Sequence, residues 1–246
     1  MPSSYREWAA PAGLAGMVAC LWRNEASTPR EQRVLPDGCM DLIWCNGAVH
    51  VAGPDTHAFL TTMKPGEVVT GVRFRPGAAP RVLGTPAYVL RDQRVRLDEL
   101  WPGTTVTERI AQAPDPTAAL VSAIASRVME PDRALGAVVA RLRAGSGVAA
   151  TAGALGCTER ALHRRCRDAF GYGPSTLRRI LRFRMALRLA GQGVPFADTA
   201  VQAGYADQAH MARDVRELAG MPLSQLLAAN GANRSTPTPS GSCTTA

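Results

Sequence analysis

The feature that most constrains the fold is a pattern that occurs twice between Val148 and Pro222. The two copies are offset by 48 residues before the second helix and by 49 within it, as a one-residue insertion in the second turn would give, and their closing prolines are again 48 apart. The matched positions are Ala152, Leu155, Gly156, Leu162, Arg164, Cys166, Gly171 and Pro174 in the first copy and Ala200, Ala203, Gly204, Met211, Arg213, Val215, Gly220 and Pro222 in the second. A solenoid would need about three or more units to bury a core. The pattern therefore predicts two helix-turn-helix units, at about 148–171 and 195–220, joined by a long helix.

The net charge lies in the half of the chain that holds this repeat. Residues 1–130 contain 13 basic and 13 acidic side chains, whereas residues 131–246 contain 15 arginines and 7 acidic side chains. Such a concentration of positive charge is the electrostatic footprint of a module that binds polyphosphate. A membrane surface would attract the same charge, but it would not explain the repeat.

Three features of the composition predict a soluble cytoplasmic protein without a membrane anchor. The N-terminus lacks the basic start and apolar run of a secretory signal. The six cysteines are scattered, which favours reduced thiols over a disulfide framework. No apolar run approaches the roughly 18 to 20 residues that a bilayer span requires.

The first half predicts a small sheet or barrel with helices, so the chain as a whole is predicted to be α+β. Its strand-like segments are short, apolar or β-branched, and separated by Gly, Pro, Asn and Asp: they are Cys39–Trp44, Ala48–Ala52, Glu67–Phe74 and Tyr88–Leu90. The Asn46-Gly47 pair predicts a hairpin turn. Helices are predicted at Ala78–Leu83, Thr107–Ala113 and Thr117–Met129. We expect a sensor or dimerisation domain at 1–130, an all-helical domain at 131–229 and a disordered tail at 230–246.

The second helix of each predicted unit has one apolar face and one basic face. Leu162 and Cys166 lie four residues apart and should face the core, as should Met211 and Val215. Arginine and glutamine on the other face can each form paired hydrogen bonds with base edges in the major groove. The predicted base contacts are Arg160, His163, Arg164, Gln208, His210 and Arg213. The predicted phosphate contacts are Thr158, Arg167, Arg178, Arg182, Arg188 and Arg216. Ordinary solvated helix faces remain the alternative for any one of these residues.

Two long runs resemble the DNA-binding domain of AraC/XylS-type bacterial transcription regulators. They are GALGCTERALHRRCRDAFGYGPSTLRRILRFRMALRLA and VPFADTAVQAGYADQAHMARDVRELAGMPLSQLL, and the resemblance covers about 135–227. It implies a sequence-specific DNA-binding regulator that binds promoter or operator duplex and is associated with the nucleoid. Cys166 and Val215 stand where the family usually has larger side chains, which implies a lighter core.

The segments VLPDGCMDLIW, VAGPDT and GVRFRPGAAPRVLG resemble N-terminal regions of a subgroup of these regulators found in high-GC bacteria. This resemblance implies a small-molecule effector, a homodimer through the N-terminal domain and, for an activator, contact with RNA polymerase. Charged residues within apolar segments predict an effector pocket lined by Asp37, Asp41, Arg73 and Arg75. An anionic ligand is one hypothesis; the alternative is that these side chains pair with each other or close turns.

Two alternatives concern chemistry in the first half. Cys39, Cys45, His50 and His57 do not have the spacing of a compact zinc site, which favours structural thiols and surface histidines over a metal or redox site. A DNA-repair methyl acceptor or another enzyme fused to the DNA-binding half is the second alternative. The sequence shows no clustered four-cysteine site, phosphate loop or nucleophile with a base, so we expect no enzyme activity, metal or cofactor.

Overall fold

The computed structural model describes the backbone of residues 4–127 and 130–232 and the side chains up to residue 229. The predicted tail begins at Asn230, but the last helix extends to Ala232. The rest of that tail, and the end of the helix predicted to reach Met129, lie outside the described residues. No helix in the described part of the chain is long and apolar enough to cross a membrane.

The first half is built from two antiparallel sheets. The larger has the strand order β1-β2-β7-β4-β5-β8, and the smaller pairs β3 with β6. The strands are β1 Ser4–Ala9, β2 Val18–Glu25, β3 Arg30–Val34, β4 Asp41–Cys45, β5 Ala48–Ala52, β6 Phe59–Met63, β7 Val68–Phe74 and β8 Arg94–Arg96. This arrangement confirms the predicted β-rich first half and the α+β class.

The turn between β4 and β5 follows directly from its two residues. Asn46 and Gly47 adopt φ angles of 49° and 75°. Positive φ at both central residues defines the hairpin turn whose twist matches the flanking strands, and Asn-Gly is its preferred sequence. The predicted hairpin is confirmed, with Asp41 paired to Ala52 at its open end.

In the described part of the first half, four α-helices cover one face of the large sheet, the first of them before β8 and the other three after it. They are α1 Ala79–Leu83, α2 Leu97–Leu100, α3 Val106–Gln112 and α4 Pro116–Ala125. Asp115 caps α4 by accepting hydrogen bonds from two backbone amides of its first turn, and Pro116 occupies the first helical position. The prediction of a strand at Tyr88–Leu90 was wrong, because Ala87–Val89 form a short 3₁₀ helix after Pro86. Ala87 is buried, whereas Tyr88 and Val89 are exposed.

Between residues 130 and 232 the second half contains seven helices, and their boundaries repeat. They are α5 Arg133–Arg143, α6 Val148–Ala154, α7 Glu159–Phe170, α8 Pro174–Gly191, α9 Phe196–Gln202, α10 Gln208–Ala219 and α11 Leu223–Ala232. The pair α6 and α9 is offset by 48 residues and the pair α7 and α10 by 49, as the sequence pattern predicts. The two helix-turn-helix units are therefore α6 with α7 and α9 with α10.

The two halves have separate cores that meet at a few side chains. One core lies between the large sheet and α1 to α4, and includes Leu42, Val72 and Phe74. The other fills the helical half, and Leu35 from the loop after β3 belongs to it. The Nη1 of Arg33 donates to the carbonyl of Ala219 at 2.9 Å. The first half is thus packed directly against the helical half, at its core through Leu35 and at the end of α10 through Arg33.

Candidate nucleic-acid interface and ligand cavity

Helix α7 is held so that one of its faces is free. Thr158 caps it, since its hydroxyl oxygen accepts from the amide of Ala161 at 3.2 Å, and Gly171 ends it in the left-handed conformation with φ of 84°. Leu162 and Cys166 are buried in the helical core. The predicted buried face is confirmed. The opposite face must then be turned outward.

The outward face of α7 carries four of the predicted DNA contacts. Arg160, His163, Arg164 and Arg167 are all exposed. They share a shallow surface with Tyr88 from the short 3₁₀ helix of the first half. The guanidinium carbon of Arg167 lies 4.9 Å from the centroid of the Tyr88 ring. One edge of this basic surface is therefore occupied by a side chain from the first half.

Helix α10 repeats this arrangement. The carboxylate of Asp207 accepts from the amide of His210 at 2.6 Å and caps the helix, and Gly220 ends it with φ of 72°. Met211 and Val215 are buried, as predicted. The three remaining polar side chains of the proposed contact face are exposed: Gln208, Arg213 and Arg216.

His210 differs from the other predicted base contacts because it is half-buried in the first turn of α10, against the loop that precedes the helix. Its ring packs edge-on against Tyr205, with centroids 5.2 Å apart. Its Nδ1 accepts from the amide of Ala206 at 3.5 Å. In neutral histidine one ring nitrogen accepts and the other donates, so this bond leaves Nε2 as the donor. His210 thus stabilises the turn and retains one polar atom for recognition.

The connecting helix α8 contains 18 residues and is about 27 Å long at 1.5 Å per residue. It begins at Pro174. The buried side chains along it include Leu177, Ile180, Leu181 and Leu189. Helix α8 packs against α5 and α7 on the side of the first unit and against α10 of the second unit. It is therefore the element that fixes the two units relative to each other.

The arginines of α8 are not equivalent. Arg188 is exposed, and its Nη2 lies 2.8 Å from the sulfur of Met185. Arg178 is half-buried. The side chain of Arg182 is only 19% exposed: it donates to Asp214 at 3.3 Å and to the carbonyl of Gly204 at 3.4 Å. The structure thus gives Arg182 a role between helices, which the expectation of a phosphate contact did not foresee.

A cavity of about 380 Å³ separates the two sheets of the first half. One wall is the face of the large sheet that α1 to α4 do not cover, at β2, β4 and β7. The other wall is the small β3–β6 sheet. Apolar walls include Trp22, Ile43 and Met63, with Phe59 at an exposed position. The volume lies within the usual range of small-molecule sites, and the mixture of apolar walls with a few polar groups is typical of them.

The structure brings three of the four predicted pocket residues together in this cavity. Arg73 donates from Nε and Nη2 to the two carboxylate oxygens of Asp41, both at 3.0 Å, and its Nε lies 3.7 Å from Asp37. Burial opposes the charged form of Arg73, but the carboxylates of Asp41 and Asp37 outweigh that effect and raise its pKa. Arg75 lies beyond the end of β7 and donates to the carbonyl of Ala15 at 2.7 Å. It is not among the residues that line the cavity.

The cysteines and histidines of the first half do not gather into one cluster. Cys39, Cys45 and His50 line different parts of the cavity, whereas His57 is exposed and lies 3.7 Å from Asp92. Burial raises the pKa of the Cys39 thiol, which keeps it protonated at neutral pH. Among residues 4–127 and 130–232, no group of three or more His, Cys, Asp or Glu side chains is placed to hold a metal ion.

Several side chains at these sites were missed at the level of sequence. Trp22 lines the cavity from β2. The available signal was that Cys20, Trp22 and Asn24 stand at every second position and so share one face of a strand. Arg94 forms a two-bond ion pair with Asp55 at 2.9 and 2.7 Å. Tyr88 was placed in a strand and has no sequence signal that predicts its contact with α7.

Comparisons with known proteins agree with this division of the chain. Residues 151–229 match a family described as a helix-turn-helix domain, and residues 6–96 match a domain of unknown function, DUF6597. The first match confirms the helix-turn-helix character predicted for the second half. Among curated proteins, none matches the chain.

Solved structures of ToxT from Vibrio cholerae resemble the chain over most of its length. One, from strain O395, is 11% identical with a TM-score of 0.46, and the match covers 91% of this chain and 97% of ToxT. Another, of ToxT bound to an unsaturated fatty acid, is 11% identical with a TM-score of 0.43, and the match covers 81% of this chain and 94% of ToxT.

Proposed function

We propose that this chain, which carries a helix-turn-helix domain of the AraC type, regulates transcription by placing α7 and α10 in two adjacent major grooves of one operator. The observation that supports this most strongly is the repeated frame. Both helices have 12 residues, a side chain that caps the amide of the third helical residue, a buried apolar face and a C-terminal glycine in the left-handed conformation. Each presents an exposed arginine at the same place, Arg164 and Arg213.

The base-reading residues lie in the first half of each recognition helix. Residues near the N-terminus of such a helix reach base edges, whereas later residues meet the backbone. Arg160, His163 and Arg164 occupy this part of α7, and Gln208, His210 and Arg213 occupy it in α10. Arginine discriminates guanine through O6 and N7, and glutamine discriminates adenine through N6 and N7.

Phosphate contacts surround these readers. Thr158 precedes α7 at its N-terminus, where the partial positive charge of the helix favours an anion. Arg167 and Arg216 lie one turn beyond the base-reading arginines on the same faces. Arg188 is exposed at the end of α8 and Arg178 is half-buried near its start. Arg182 is left out of this set because its donors already serve Asp214 and Gly204.

The cavity in the first half is proposed as the effector site. A loop after β3 connects it to the helical half: Asp37 lines the cavity beside Arg73, whereas Leu35 belongs to the helical core. The next residue after Asp37, Gly38, adopts φ of 84° and lies against Leu177 and Tyr172. A ligand that moves Asp37 would therefore act on the start of α8. A homodimer through the first half and contact with RNA polymerase remain predictions.

The direct test is selection of duplexes from a random-sequence library by the purified full chain, followed by fluorescence anisotropy on the selected site. We expect one dominant motif with two conserved halves about one helical turn apart. Specific binding should be about 10³-fold or more tighter than binding to scrambled duplex at physiological salt. Equal binding to selected and scrambled duplex would contradict the proposal.

A further inference from the structure

The cavity between the two sheets contains two hydrogen-bond donors that have no partner in the described part of the chain. They are Nε1 of Trp22 and Nη1 of Arg73. Trp22 is 5% exposed and the Arg73 side chain is 3% exposed, so bulk water does not satisfy either group. Buried N–H groups are almost always hydrogen-bonded in folded proteins, since an unmade bond costs about 1 to 3 kcal/mol. Two such groups in one cavity indicate a ligand that completes them.

Strand register places these two donors on the same face of the sheet. Cys20 on β2 is paired with Arg73 on β7, and Trp22 is paired with Gly71. Side chains two residues apart on a strand point to the same face, so Trp22 and Arg73 are diagonal neighbours across the two strands. A Cβ atom at Gly71 would lie 2.5 Å from the indole of Trp22. The absence of a side chain there lets the indole lie flat on the sheet beside Arg73.

The charges around the cavity argue against an anionic ligand. Arg73 is already bonded to both oxygens of Asp41, and Arg94 is bonded to both oxygens of Asp55. The lining contains the basic residues Lys64, Arg73 and Arg94 and the acidic residues Asp37, Asp41, Asp55 and Glu67. Arg184 is half-buried close to Asp37 and balances one of these acidic groups. An added carboxylate would find Arg73 and Arg94 already paired and would have to be desolvated. An uncharged oxygen acceptor would not.

The other walls define the body of the ligand. Trp22, Ile43 and Met63 offer apolar surface, and the ring of Phe59 is covered by the guanidinium of Arg94 at 4.1 Å. We infer that the cavity binds an uncharged, largely apolar small molecule through one carbonyl-type oxygen, which accepts from Trp22 Nε1 and Arg73 Nη1. This inference rests on the proposed effector function and names the ligand class of that site.

The test uses four naphthalene probes of matched size on the full chain. They are 2-acetonaphthone, which carries a neutral carbonyl; 2-naphthoate, an anion; 2-naphthylmethylamine, a cation; and 2-ethylnaphthalene, which has no acceptor. Titrations are followed by the indole N–H signals in ¹⁵N–¹H correlation spectra, with the Trp22 signal assigned from the Trp22→Phe variant. We expect the ketone to bind most tightly and to shift the Trp22 signal downfield.

Matched variants separate the hydrogen bond from general apolar binding. Trp22→Phe retains an aromatic ring but removes the donor, and should weaken ketone binding about threefold to tenfold. Trp44→Phe is the control, because Trp44 is on β4 between two cavity-lining residues and therefore points to the other face of the sheet. It should leave ketone binding unchanged.

Three outcomes would overturn the inference: no binding of the ketone at its solubility limit, binding of the anion, the cation or the hydrocarbon at least as tight as the ketone, or an unshifted Trp22 signal. DNA binding by the same preparation is measured separately on the selected duplex. Loss of sequence-specific DNA binding would contradict the proposed function, whereas failure of the ketone alone would contradict only the ligand class.

Discussion

Asp214 on the second recognition helix accepts a 2.6 Å hydrogen bond from Arg179 on the connecting helix. The equivalent position of the first recognition helix is Arg165, which donates to Asp132 at 2.8 Å. Asp132 caps α5, the helix that precedes the first unit as α8 precedes the second. Each recognition helix is thus tied by an ion pair to the helix before its unit, with the charges reversed. The structural repeat is therefore three helices long, α5 to α7 and α8 to α10.

This relationship predicts that Asp214 stabilises the helical half. Asp214 is 8% exposed and serves Arg179 and Arg182 at once. Asp214→Asn should lower the free energy of unfolding by about 1 to 3 kcal/mol, because the partly buried Arg182 loses its charged partner and Arg179 keeps only the exposed Glu217. Urea denaturation measures the change. Asp168→Asn on the exposed face of α7 is the control, and equal effects of the two substitutions would contradict the assignment.

The contact of Tyr88 with Arg167 predicts that the first half restrains DNA binding. Tyr88→Ala should raise affinity for the selected duplex about twofold to fivefold, since a cation–π contact at an exposed site contributes about 0.5 to 1 kcal/mol. Tyr88 is 40% exposed, so the fold should tolerate the change. Val89→Ala alters the neighbouring residue, which is 46% exposed, and should leave affinity unchanged. Weaker binding by Tyr88→Ala would show that Tyr88 assists DNA binding instead.

Salt dependence distinguishes the arginines of α8 and α10. Arg216→Ala and Arg188→Ala should each weaken binding to all duplexes and reduce the slope of log affinity against log salt by about 1, because each removes one phosphate contact. Arg182→Ala should leave that slope unchanged and reduce stability, since Arg182 bonds Asp214 and Gly204. Anisotropy titrations over a range of salt concentrations test this. A reduced slope of log affinity against log salt for Arg182→Ala would show that Arg182 contacts phosphate.

Thiol labelling tests whether the small residue in the core of the first unit is tightly packed. Cys166 is fully buried, and burial raises the pKa of its thiol to about 12. At pH 8 about one thiol in 10⁴ is then the reactive thiolate. Iodoacetamide should therefore label Cys157, which is half-buried in the turn before α7, well before Cys166. In urea the two should react alike. Similar native rates, measured by peptide mass spectrometry, would mean that the core around Cys166 opens readily.

The second half is predictable because its signals are local. Apolar periodicity, N-capping Thr158 and Asp207, and glycine stops at Gly171 and Gly220 lie within each helix, so the boundaries agree with the structure to one or two residues. The exposed and buried faces of α7 and α10 follow from the same periodicity. Their assignment to base or phosphate remains a prediction.

The first half is less predictable because its strands pair across long stretches of chain. β2 pairs with β7, and β3 pairs with β6, so the alternation in Val18–Glu25 or Arg30–Val34 has no meaning until its partner is known. The cavity depends on those pairings, which explains why Trp22 was missed. Arg182 and Arg213 look alike in sequence, and only the packing of α8 against α10 separates a structural arginine from an exposed one.

The most direct test of two reading helices on one chain is methylation interference at guanine N7, a major-groove atom. On the selected duplex, the wild-type chain should show two clusters of interfering guanines about 10 base pairs apart. Arg164→Ala and Arg213→Ala should each cost about 1 to 3 kcal/mol of binding free energy and should each abolish a different cluster. Arg109→Ala, an exposed arginine of α3, is the control and should abolish neither. Loss of the same cluster by both variants would contradict the account.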